Sequence, residues 1–125
     1  MNSKLIDTLA GVQKPTKIWT STDGSWVMVL PYGGRILGLF TPGSENNFFW
    51  THPALDSIVT ANDFFQNEEW INSGGDRTWL SPEIDLFFPN FPEPDPYVVP
   101  SELDPGDYQI SDEGSNIRFM SRVAL

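Results

Sequence analysis

Gly74-Gly75-Asp76-Arg77-Thr78-Trp79-Leu80-Ser81-Pro82-Glu83 places a guanidinium, two carboxylates and an indole within ten residues. Arg77, Asp76 and Glu83 can form charge-assisted hydrogen bonds, and Trp79 adds a flat apolar face, a combination suited to holding a polyol. The paired glycines admit backbone conformations closed to other residues, so the segment can be presented at a strand edge or pocket mouth. The same run also fits a structural role, as a buried ion pair and a core indole at the start of a strand.

Few other residues bear on chemistry. His52, the sole histidine, stands in Trp50-Thr51-His52-Pro53, where an aromatic run meets a proline. That setting predicts a loop, and a loop imidazole is either a ligand contact or a solvated side chain. Glu83 has the right type for a general base, but spacing alone brings no histidine to it. No nucleophile–base pair, metal cluster or phosphate loop is legible. Gly33-Gly34 and Gly74-Gly75 lack a strand–loop–helix setting and are expected to be turns. Acids between Glu83 and Glu113 lack the regular spacing of a dedicated calcium loop.

These side chains must be carried by a chain of 125 residues, the length of one domain. Its 39% apolar content predicts a globular fold, and aromatics at 14% favour a sheet core or a stacking surface. Seventeen acids against seven bases give a net charge of −10, which argues against nucleic acid or an anionic membrane surface as partner. The absence of cysteine removes disulfides, thiol nucleophiles and thiolate metal sites. With no visible signal segment and no apolar run long enough to span a bilayer, the expected location is the cytoplasm.

Read in order, the chain predicts an N-terminal helix over 1–12, capped by Asn2 or Ser3, with Leu5, Ile6 and Leu9 on one stripe. Strands follow at Lys17–Ser21, Ser25–Leu30 and Arg35–Phe40, the first two joined by Asp23-Gly24 as a hairpin. Asn47–Thr51 reads as a fourth strand covered on both sides, because Phe48, Phe49 and Trp50 are consecutive. Asn62 or Asp63 would cap a helix running through Glu68 and Glu69 to Trp70, ended by Gly74-Gly75. Seven of the eleven prolines fall between Pro82 and Pro105, forbidding regular structure there. Asp107–Ser111 and Asn116–Val123 form a last hairpin, whose apolar strand and Val123-Ala124-Leu125 end would leave an edge needing cover. The expected divisions are thus 1–12 helix, 16–88 meander plus short helix, 89–106 acidic Pro-rich loop, and 107–125 hairpin.

Leu30-Pro31-Tyr32-Gly33-Gly34-Arg35-Ile36-Leu37-Gly38-Leu39, then Asn47-Phe48-Phe49-Trp50, then Gly74 to Glu83 together resemble the galactose-mutarotase-like (aldose-epimerase-like) superfamily. The nearer likeness is to an uncharacterised bacterial branch with a Gly-Gly-x-Arg-x-Trp-x-x-Pro-Glu segment. The matching stretches span Trp26 to Glu83. The resemblance implies a mainly β fold, an antiparallel β-sandwich forming part of a supersandwich, with one or two short helices and a concave carbohydrate face. In such proteins a glutamate base and a histidine acid open and reclose a sugar ring. Members are longer, and their glutamate base lies beyond the part matched here, so His52 cannot be aligned with the catalytic acid.

Three readings follow. The first is a carbohydrate-binding N-terminal portion of a mutarotase-like protein, binding a monosaccharide or short oligosaccharide through Arg77, Asp76, Trp79, Glu83, His52 and Arg35. It would have no catalytic residue, metal or cofactor of its own, and isomerase activity would require a missing C-terminal part. The second is a sugar-binding module complete in itself. The third is a structural or protein-interaction β domain pairing through its exposed strand edge, as a homo-oligomer or with a further segment over the terminal strand.

Overall fold

Residues 3–67 and 69–124 are described in a computed structural model of the chain. Asn2, Glu68 and Leu125, which the sequence reading placed in a cap, a helix and a strand end, lie outside them. The first sheet grows from the Asp23-Gly24 turn. The Asp23 carboxylate accepts hydrogen bonds from the Ser25 amide at 2.9 Å and from its hydroxyl at 3.0 Å. Strands β1 (Lys17–Thr20) and β2 (Trp26–Leu30) then pair antiparallel from Lys17 opposite Val29 to Thr20 opposite Trp26. Strand β3 (Arg35–Phe40) joins the other side of β2, with a register shift between Met28 and Val29. The two-residue strand β4 (Asp76–Arg77) completes the order β1-β2-β3-β4.

One face of this sheet is covered by helices. Leu5 and Leu9 of α1 (Ser3–Gly11), Leu55 of a 3₁₀ turn (Pro53–Asp56) and Ala61 of α2 (Ile58–Phe65) share a core with Trp26, Met28, Leu30, Leu37 and Phe40. Trp26 and Phe40, cross-strand neighbours, stack with ring centroids 3.7 Å apart. Each buried aliphatic side chain of this size contributes roughly 1.5–3 kcal/mol. A third helix, α3 (Glu83–Phe87), buries Phe87. Residues 89–106 contain no helix or strand. Strands β5 (Gln109–Asp112) and β6 (Ile117–Met120) form a separate antiparallel hairpin. The hairpin is held by Trp19 Nε1 donating to Gly114 O, by a bridge between Tyr32 and Asp107, and by Ser121 Oγ donating to Glu102 O.

The architecture is therefore antiparallel, in sheets of four and two strands with three α-helices among the described residues. Helix nearly matches strand, at about 21% against 24%, so mainly β is too strong a description. Three elements differ from expectation for local reasons. Helix α3 (Glu83–Phe87) lies inside the Pro82–Pro105 passage that was expected to hold no regular structure, and adds a third helix to the one or two expected. It fits because no proline falls between Pro82 at its N-cap and Pro89. Asn47–Thr51 is not a strand: Phe48 is 68% and Trp50 56% exposed, and only Thr51 makes a bridge, to Gly74. Its place is taken by the Asn47 side chain, which accepts from Leu39 N at 3.0 Å and donates to Leu37 O at 3.1 Å. The helix expected from Asn62 to Trp70 instead starts at Ile58, where Ser57 Oγ accepts from Thr60 N, and stops before Asn67. The Asn67 side chain accepts from Glu69 N just beyond this end.

Candidate functional site

Gly74 and Gly75 position the site. Their φ angles are +104° and +69°, and a Cβ on either would lie 2.2 Å from a carbonyl oxygen, that of Trp50 or Ile36. Only glycine permits this approach, and it delivers Asp76 and Arg77 to the edge of β3. Arg77 then leans over Trp79, with Cζ 4.0 Å from the ring centroid, and lies 5.5 Å from that of Trp70. Its Nη1 donates to Asp104 Oδ2, which also accepts from Trp70 Nε1. The Asp104 side chain is only 4% exposed, against 24% for Arg77. Trp79 Nε1 donates to Glu83 at the head of α3.

These groups form the wall of an open cleft of about 540 Å³, bounded by Trp70, Arg77, Trp79, Glu83, Tyr97 and Val99. A second hollow of about 470 Å³ adjoins it through Trp70, Tyr97 and Val99 and reaches Tyr32, Glu69 and Asp104. Phe87 and Phe88 brace Tyr97, with centroids 6.1 and 4.9 Å away. Burial, then the Glu83 charge, pushes the Tyr97 phenol above its ordinary ionisation range. A larger hollow of about 620 Å³ lies along the hairpin between Asp107 and Arg122, but among the described residues Phe119 is its only aromatic wall. Aromatic faces and polar groups converge at the Arg77 cleft, which is the better candidate site.

Of the six residues that sequence pointed to, Arg77, Trp79 and Glu83 come together. Asp76 is exposed on β4, accepts from Arg77 N at 2.9 Å, and lines a small recess of about 160 Å³ with Ile36 and Phe119. Arg35 lines neither cleft. It is 4% exposed, and Nη1 donates to Asn72 Oδ1 at 2.9 Å and Gly74 O at 2.8 Å, fastening the glycine turn. Burial, then the neighbouring Arg77 charge, lowers the Arg35 pKa from its ordinary value. His52 also stands apart, because Nδ1 caps the 3₁₀ turn by accepting from Ala54 N at 3.0 Å, and the ring packs against Phe64. Sequence reading missed Asp104, Tyr97 and Trp70 as site members. The first two lie in the Pro-rich passage, and Asp104 is 27 residues from Arg77, a separation no periodicity links.

Among the described residues no group of three or more His, Asp or Glu could hold a metal ion, and no helix is long and apolar enough to cross a membrane. Comparison of the chain with models of protein families, with curated proteins and with solved structures finds no match.

Proposed function

We propose that this chain is a carbohydrate-binding unit, the N-terminal part of a cytoplasmic mutarotase-like protein whose antiparallel sheets belong to a larger β-sandwich. The observation that carries the reading is the cleft of Trp70, Trp79 and Tyr97 with Arg77 and Glu83 on its wall. Indole faces take up the C–H faces of a pyranose, while a guanidinium and a carboxylate satisfy its hydroxyls. The volume suits one sugar ring or a short oligosaccharide. Binding without turnover is the activity assigned to the chain alone, because His52, the one imidazole, caps a turn and does not line the cleft. Titrating monosaccharides into ¹⁵N-labelled protein should shift the indole N–H signals of Trp70 and Trp79, and Trp79→Ala should weaken binding at least tenfold. Unmoved indole signals across a panel of aldohexoses and their amino and N-acetyl forms would remove the proposal.

A second reading, pairing through a sheet edge, is favoured by β5 and β6, which among the described residues pair as strands only with each other. It predicts a dimer in light scattering at high concentration, and a strictly monomeric result would count against it.

A further inference from the structure

The charges lining the two joined hollows are unequal. Among the described residues that line them, Arg77 is the one cation, against the carboxylates of Glu69, Glu83 and Asp104. Arg77 is already neutralised, because Nη1 is committed to Asp104. Arg35 lies behind the wall, bonded to Asn72 and Gly74, and lines neither hollow. Glu83 is exposed at the rim with no cation among its described ion pairs. The indoles are disposed to hold positive charge, since they already flank a guanidinium at 4.0 and 5.5 Å. The chain as a whole, at −10, adds a field that repels anions.

Resting on the carbohydrate reading above, we infer that the ligand of this cleft is a saccharide bearing a protonated amine. The ammonium lies against Glu83 and the ring against the indole faces, and uronates and sugar phosphates are rejected. A neutral sugar makes the same stacking contacts without the ion pair. An anionic one meets the carboxylates of Glu69 and Glu83, for which no ion pair is found among the described residues, and a guanidinium that Asp104 has already claimed.

The test is NMR titration of the whole chain at about pH 6, where a sugar amine is protonated. The probes are glucosamine and galactosamine, their N-acetyl forms, glucose and galactose, and the two uronates. The amines should bind about two- to fivefold more tightly than the N-acetyl forms, the worth of one exposed ion pair. The uronates should be the weakest. Glu83→Gln, which keeps an acceptor for Trp79 Nε1, should bring the amine-to-acetyl ratio to about one. Asp104→Asn should free the Arg77 charge and raise uronate affinity severalfold. Because Glu83 is exposed, its substitution stays informative even if the Asp104 variant does not fold. Equal binding of amine and acetyl forms, or uronates binding best, overturns the amine preference and leaves the saccharide reading standing. No saturable shift with any probe overturns both.

Discussion

Asp104 ties together separate parts of the chain. Its nearly buried carboxylate receives Arg77 from β4 and Trp70 from the segment after α2, fixing two walls of the cleft at once. Hydrogen bonds to a charged group contribute about 1.5–3 kcal/mol, more than a neutral pair. Asp104→Asn should therefore lower stability by about 2 kcal/mol in urea unfolding, and an unchanged midpoint would show the carboxylate to be dispensable. The same charge acts on Tyr32, whose phenol is raised above its ordinary value of 10.0 by burial first and by Asp104 next. A raised phenol keeps its proton in the fold while the unfolded chain loses it, so this contribution is complete below pH 10 and is lost as pH rises further. Stability should fall above about pH 10, and Tyr32→Phe should flatten that fall. An equally steep alkaline loss in the variant would place its origin elsewhere.

Elements here are ended and replaced by side chains that imitate backbone. Asn47 occupies the hydrogen-bonding edge of β3 that a fourth full strand would have used, bonding Leu37 O and Leu39 N and also accepting from Phe49 N. Asn47→Ala should cost about 1–3 kcal/mol by orphaning these groups, and thermal melting measures it. Ser57 starts α2, and Ser57→Ala should cost about 1 kcal/mol by the same measurement. Gly75→Ala is the severe case. The added Cβ would meet the Ile36 carbonyl at 2.2 Å, so β4 cannot stay in place and Arg77 leaves the cleft. Loss of the Trp79 indole shift on ligand addition, in a protein that still folds, is the expected signature.

At the scale of the molecule, burial is uneven. Strand β2 buries four of its five residues, whereas β5 and β6 bury none fully. The hairpin is held to the rest chiefly at its turn and its ends. Regions with few buried contacts open at lower free energy than the core. Hydrogen exchange should therefore release the β5 and β6 amides well before those of Met28 and Val29, and simultaneous exchange would show the two sheets to be one cooperative unit.

What the amino-acid sequence determined by itself is local. Asp23-Gly24 made the first hairpin, turn residues bounding apolar runs placed β2 and β3, Leu5 and Leu9 chose the buried stripe of α1, and Gly74-Gly75 announced a turn closed to side chains. Each of these rests on a few adjacent residues or a fixed period. Tertiary structure alone decided that Asn47 would displace a strand, that Arg35 and His52 would serve turns and not the cleft, and that Asp104 would close the site across 27 residues from Arg77. Such contacts depend on where a long aperiodic loop returns in space. Proline-rich passages carry no repeat from which that return can be read.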